Sequence, residues 1–276
     1  MDDLTLEKVG PENLSECGIG CLTNRLHPGY QGKVDWLQRS FADGLRFLLV
    51  RHGDGQPLGF LEYVPGEFAW RPVEAAGWLF VHCLWVYPRG REVGGLGSRL
   101  IQACLAEARR QRAVGVAALV SDGPLMAGRQ IFLKNGFKQI EQRERFQLVI
   151  YQLRKGPEPR FRDIQGLEPK APGLHLLYCA QCPINAKSAT GLSEMAAEHG
   201  LKLKVTVLHT AQEAQSAPSS YGVFNLMWNG RLLADHCVSK GRFKNLLHRE
   251  ILMHFGPLKH CALEPCKRWV GGGPVD

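Results

Sequence analysis

Apolar positions recur along the chain with two periods, and the places where the period changes mark its elements. Leu96, Leu100, Ile101, Cys104, Leu105 and Ala108 share one face at helical spacing and predict the strongest helix of the chain. Just before it, the nearly unbroken apolar run Trp78–Tyr87 reads as a buried strand. Upstream, the pattern predicts helices at Pro11–Thr23 and Val34–Phe41, with the turn His27-Pro28-Gly29 between them. Strands follow at Leu45–Arg51 and Leu58–Val64, split by His52-Gly53-Asp54-Gly55, and a long connection, Pro65–Ala76, leads on. Downstream come a strand at Val114–Val120, a helix at Pro124–Lys134 and a closing strand at Arg145–Leu153. The order is ααββ, then β, glycine turn, αβαβ.

A second, smaller region begins with the strand Leu174–Cys179 and the helix Pro183–His199, which stops at Gly200 as helices commonly do. Strand Leu201–Val207 and a short helix near Ala211–Ser216 follow. Strands Val223–Trp228 and Leu232–His236 flank Asn229-Gly230, a strong hairpin signal, and the amphipathic helix Gly241–Met253 closes the unit. That order is βαβαββα. Between the regions, Lys155–Gly173 holds four prolines and three glycines and reads as a linker. The expected division is therefore a first domain at 3–155, a linker at 156–173, a second domain at 174–255 and a flexible tail at 256–276.

Composition changes this picture little. The 276 residues are 45% apolar and 22% charged, as in ordinary globular proteins. The net charge of +8 is shared about evenly between the halves, with no block of five like charges, so no nucleic-acid arm is expected and an acidic ligand is welcome. The longest apolar run, Ala75–Val86, is interrupted by His82 and is shorter than the ~20 residues that cross a bilayer. The acidic start Met1-Asp2-Asp3-Leu4 lacks the features of a signal peptide. Nine irregularly spaced cysteines fit reduced thiols in the cytoplasm better than a disulfide scaffold. No metal site is expected, because no four ligands stand at a zinc spacing.

The candidate chemistry begins at the turn Arg91-Glu92-Val93-Gly94-Gly95-Leu96-Gly97-Ser98. A glycine-rich turn opening a helix exposes amides that cradle phosphates. A Rossmann reading fails because Leu100 stands where the third glycine belongs, and no Gly-Lys-Ser/Thr supports a P-loop. The stretch Leu84-Trp85-Val86-Tyr87-Pro88-Arg89-Gly90-Arg91, the turn, and Arg99-Leu100-Ile101 resemble the acetyl-CoA motif of the GNAT N-acetyltransferases. The stretch from Ala127 to Ile131-Phe132-Leu133-Lys134-Asn135-Gly136-Phe137 resembles that family's helix ending in Gly-Phe. The resemblance implies a GNAT fold, a mixed and largely antiparallel twisted sheet with flanking helices. It implies transfer of an acetyl group from acetyl-CoA to a small-molecule or peptide amine. Leu84, Trp85 and Val86 would pair with the pantetheine arm, and Arg91, Gly94, Gly95, Gly97 and Ser98 would hold the pyrophosphate. The turn departs from the motif by one extra residue. Phe132 stands where many members carry a tyrosine general acid, and phenylalanine donates no proton.

Acyl transfer needs a neutral amine and a polarised carbonyl. His82, four residues before Val86, is the expected base, with Glu62 next and Asp122 weaker; a core histidine and solvated surface carboxylates are the plainer alternatives. Tyr30, Trp70 and Arg71, in the loops expected to form the acceptor groove, would suit a substrate with apolar and acidic parts.

In the second region, Tyr178-Cys179-Ala180-Gln181-Cys182-Pro183 places a C-x-x-C across a strand end and a helix start, where a cysteine becomes more acidic. Pro218 stands where thioredoxin-like proteins hold a cis-proline, so Cys179, Cys182 and Pro218 are redox candidates. Together with Glu213-Ala214-Gln215 and Ala217-Pro218-Ser219, Gln181-Cys182-Pro183 resembles the C-terminal domain of the YoaP-type acetyltransferases. That resemblance implies a smaller thioredoxin-like α/β domain behind the first. The competing reading is a thiol-redox or thiol-binding protein whose first domain merely binds CoA. The sequence leaves the oligomeric state open.

Overall fold

The computed structural model describes residues 4–87, 94–164 and 172–252. Its first part runs β1 (Leu4–Val9), α1 (Leu14–Cys17), α2 (Tyr30–Ala42), β2 (Arg46–His52), β3 (Pro57–Pro65), β4 (Val73–Glu74) and β5 (Leu79–Val86). It continues through α3 (Leu96–Arg110), β6 (Gly115–Val120), α4 (Arg129–Lys134), β7 (Lys138–Arg143), β8 (Phe146–Gln152) and β9 (Arg160–Phe161). Seven of these strands form one sheet, in the order β1-β2-β3-β5-β6-β8-β7. Every neighbouring pair is antiparallel except β5 and β6, which are parallel. The architecture is the mixed α/β sheet that the sequence implied. The face bearing Leu61, Val81, Leu84 and Val149 packs on the apolar stripe of α3, Leu100, Ile101, Cys104, Leu105 and Ala108.

The second part runs β10 (Leu174–Cys179), α5 (Pro183–Glu198), β11 (Leu203–Leu208), α6 (Ala211–Gln215), β12 (Phe224–Trp228), β13 (Arg231–Ala234) and α7 (Lys240–Leu247). A four-stranded sheet has the order β11-β10-β12-β13, with β10 parallel to β11 and antiparallel to β12. Thr210 caps α6 in a reciprocal box with Glu213. Asn229 and Gly230 both take positive φ, 48° and 84°, which is what a two-residue hairpin turn requires.

Several expectations need correction. The stretch Pro11–Thr23 is helical only over Leu14–Cys17, and β1, β4, β7 and β9 lie outside the elements that periodicity suggested. Helix Pro124–Lys134 shortens to Arg129–Lys134, and α7 gives way to a π-turn at His248–Leu252. The start of the Pro/Gly-rich segment is tied down: the Trp78 indole donates to the Pro157 carbonyl at 2.8 Å, and β9 pairs with β4. Its stretch 165–171, and 256–276, where a flexible tail was expected, lie outside the described residues.

The two sheets share one buried apolar cluster, from Trp36, Phe60 and Phe80 through Phe146 to Tyr221 and Phe224. The Phe146 and Tyr221 rings stack at 5.9 Å. Arg145 makes two bonds to Asp235, at 2.8 and 3.3 Å. Gln215 Nε2 donates to the carbonyls of Glu67 and Ala69, both at 2.9 Å. Approach is closest between the starts of α2 and α5, where a Cβ on Gly29 would sit 1.9 Å from the Pro183 carbonyl oxygen. Only glycine permits that contact.

Candidate active site

Strands β5 and β6 pair through Leu79, Phe80 and Val81 and then part, although β5 runs on to Val86 and β6 to Val120. Beyond Val81 the two strands no longer satisfy one another's backbone groups, which leaves polar positions in the opening for a ligand. Trp85 and Val86, at the rim, are 40% and 37% exposed, large apolar groups held out of the core. Across the opening lie Leu119, Leu125, Met126 and Phe132.

A bulge shapes the floor. The register runs Glu62 opposite Cys83 and then Tyr63 opposite Val81, so His82 is the extra residue of β5. Bulges re-aim side chains. Here His82 and the adjacent Cys83 both face α2, whereas Val81 and Leu84 face α3. Glu62, His82 and Cys83 thus line one cavity of about 70 Å³, with Cys21 and Lys33. That space is enough for waters or a small acyl group.

Glu62 is 1% exposed. The alternative of a solvated surface carboxylate falls. Lys33, equally buried on α2, donates to Glu62 Oε1 at 2.5 Å, while Glu62 Oε2 has no partner among the described residues. Burial by itself would depress Lys33, but the Glu62 carboxylate outweighs it and holds the ammonium above its ordinary value. Lys33 also lies 4.2 Å from the centre of the Trp36 ring.

His82 is the chief correction. Its Nε2 accepts the Trp70 backbone N–H at 2.9 Å, and its Nδ1 has no partner among the described residues. Burial first, then the Arg71 and Lys33 cations, holds the imidazole well below 6.5. At neutral pH the ring is uncharged. With the Nε2 lone pair engaged, the proton resides on Nδ1. His82 therefore offers a donor where a base was expected. Asp122 is exposed beside the opening and does not line the cavity.

The glycine turn is described from Gly94 onward; Arg91 lies outside the described residues. Gly95 caps α3 in the left-handed conformation, φ 83°, and no side chain satisfies the first amides of the helix. A Cβ on Gly94 or Gly95 would meet nothing within 4 Å, whereas one on Gly97 would lie 3.3 Å from the Ile131 side chain. Gly97 thus serves the packing of α3 on α4. The Ser98 hydroxyl accepts from Asn135 at 2.9 Å.

The second part closes the other side of the cavity with Gln181, Cys182 and Pro183 at the start of α5 and Tyr221 before β12. Cys182 is the N-cap of α5, with Pro183 in its first turn. Burial nevertheless pushes its thiol up, despite the Ile184 amide and Lys33, which pull it down. Cys179 is fully buried, accepts from the Gln181 amide at 3.4 Å, and is pushed by burial up to about 12. The expectation of a readily ionised Cys182 is overturned, because desolvation exceeds the help of the helix terminus. Pro218 is buried, its peptide bond is trans, and it does not line the cavity. Cys21 and Cys83 were not singled out in the sequence, since neither stands in a motif. Among the described residues no cluster of three ligands fits a metal ion, and no helix is long and apolar enough to cross a membrane.

Residues 21–137 match the Acetyltransferase (GNAT) family. Over 248 residues, 87% of this chain and 97% of the other, the protein is 25% identical to the "Uncharacterized N-acetyltransferase YoaP" of Bacillus subtilis (strain 168). Among solved structures, it is similar to a GNAT family acetyltransferase from Brucella melitensis in complex with acetyl-CoA, with 23% identity and a TM-score of 0.37 over 59% of this chain and 95% of that one. The PaiA N-acetyltransferase from Thermoplasma acidophilum in complex with coenzyme A gives 15% identity and a TM-score of 0.39 over 54% and 99%.

Proposed function

We propose that the protein is an acetyl-CoA-dependent N-acetyltransferase whose reaction centre is the cavity beside the parting of β5 and β6. The observation that carries this reading is the buried, half-paired Glu62 carboxylate lining that cavity. The pantetheine arm of acetyl-CoA would lie along Leu84–Val86, with its pyrophosphate on the uncapped amides at the start of α3. The acceptor amine is deprotonated to Glu62 Oε2 and attacks the acetyl carbonyl. A C–N bond forms, the C–S bond breaks, and CoA leaves as a thiolate that takes up, through water, the second proton that the nitrogen sheds. Neutral His82, through its Nδ1–H, supports the carbonyl oxygen as negative charge develops on it. Phe132, buried and lining the cavity, contributes shape alone.

The second unit is read as a thioredoxin-like, YoaP-like domain, supported by its βαβαββα order and its sheet order β11-β10-β12-β13. It acts here as a wall rather than a redox partner. Seven cysteines among the described residues are free thiols, which suits the reducing cytoplasm.

The test is acetyl-CoA binding by calorimetry, followed by an amine screen with mass detection of N-acetyl products. With an accepted amine, Glu62→Gln should lower kcat about 10²-fold or more with acetyl-CoA affinity nearly kept. A folded variant with unchanged kcat would remove Glu62 from the chemistry.

A further inference from the structure

The cavity holds one charge that no carboxylate among the described residues neutralises. Arg71 is 3% exposed and lines the cavity, yet it pairs with no carboxylate among the described residues. Its Nη1 donates to the Trp70 carbonyl at 2.7 Å and to Gln181 Oε1 at 2.8 Å, and its Nη2 reaches the His82 carbonyl at 3.4 Å. The guanidinium lies 4.6 Å from the centre of the Tyr221 ring. All these partners are neutral. Elsewhere in the lining, Lys33 and Glu62 cancel and His82 is uncharged, so the wall carries one net positive charge away from water. A buried cation without a counter-ion is expensive, and a ligand that supplies the anion is favoured by the same amount.

We infer that Arg71, held in place by Gln181, just after β10, and Tyr221, just before β12, receives the carboxylate of a small amino acid whose amine faces Glu62. This rests on the acetyltransferase reading and names its acceptor class. Two independent orphans fix the two ends: the unpaired Arg71 cation and the unpartnered Glu62 Oε2. Size sets the rest. A cavity of about 70 Å³, walled on one side by Cys182, Pro183 and Tyr221, favours a small amino acid over a bulky acceptor. Gln181 and Tyr221 are positioning residues, and through them the second domain sets what the first domain acetylates.

The experiment compares CoA release and N-acetyl product for glycine, alanine and β-alanine against glycinamide, alaninamide and ethylamine, using the full chain. Free amino acids should exceed their amides in kcat/KM by about 30-fold or more, the discrimination expected when a buried charge is left unpaired. Gln181→Ala should raise KM for amino acids about tenfold more than KM for the amides, narrowing the preference for acids. Gln181→Glu places a carboxylate on Arg71 from within, so it should abolish the preference for acids even where Arg71 variants fail to fold. Amides or ethylamine acetylated as well as the free acids would overturn the assignment and leave the acetyltransferase reading standing. Acetylation of none of the six amines by protein that binds acetyl-CoA would overturn the assignment alone, and failure to bind acetyl-CoA would overturn both.

Discussion

His82 illustrates how a residue's chemistry is decided by which of its atoms is already engaged. The sequence placed it on the strand whose side chains line the cavity, because an apolar strand is legible as periodicity. Its role was not legible. The bulge that turns it toward α2 and the Trp70 amide that occupies Nε2 are both products of tertiary pairing. Burial and two cations depress its pKa, and the sign of the consequence follows. Above ~6.5 the ring is neutral folded or unfolded; below that, the unfolded chain binds a proton that the native site refuses. Stability should therefore fall as pH drops from ~6.5, by up to ~1.4 kcal/mol per pH unit from this group. Denaturant melts of wild type and His82→Gln between pH 5 and 7.5 should show a shallower acid slope in the variant. Equal slopes would mean that the imidazole titrates freely in the native protein. Arg71 was legible as a loop cation, but its burial was not, because the domain that covers it lies more than a hundred residues away.

At the scale of elements, long and strongly patterned segments were readable and short or edge segments were not. The stripe of α3 and the Asn229-Gly230 hairpin each carry a local signal that tertiary contacts only confirm. β7, by contrast, reads Lys-Gln-Ile-Glu-Gln-Arg, an edge strand whose polar residues face solvent and give no alternation to detect. The three glycines at the start of α3 look equivalent in sequence and are not equivalent in space. Gly94 has open surroundings and no positive φ, Gly95 needs the left-handed conformation, and Gly97 faces Ile131. Gly94→Val is accordingly the clean probe of phosphate binding. It should weaken acetyl-CoA binding in calorimetry with an unchanged melting temperature, whereas Gly97→Val should lower the melting temperature as well by crowding Ile131. If Gly94→Val binds acetyl-CoA as wild type does, the phosphates rest elsewhere.

For the molecule as a whole, the contacts between the sheets decide the behaviour. The main helices and strands on either side of the Pro/Gly-rich segment were legible from the change of pattern after it. The shared core was not, because long-range packing leaves no periodic trace. The Arg145–Asp235 pair spans the two parts, and His236 also bonds Asp235, at 2.8 Å. Although burial opposes ionisation, bonds from His236 and Arg145 hold the Asp235 carboxyl down at about 2. A depressed carboxylate stabilises the fold above its unfolded value and loses that contribution as pH falls through the folded one. Asp235→Asn should cost ~1–2 kcal/mol near neutrality, and the deficit should shrink between about pH 4 and pH 2. Thermal melts across that range are the check; a constant deficit would trace the loss to packing instead.

The cradle at α3 and the wall at α5 and Tyr221 stand on different sheets, each with its own sequence constraints. On the reading proposed above, mutations at Gln181 or Tyr221 would alter the chemical taste of the pocket while the residues assigned to the thioester stay untouched. Such a division lets selection try new acceptors one side chain at a time, at little risk to an inherited reaction. It also offers a protein engineer a panel to exchange rather than an enzyme to rebuild.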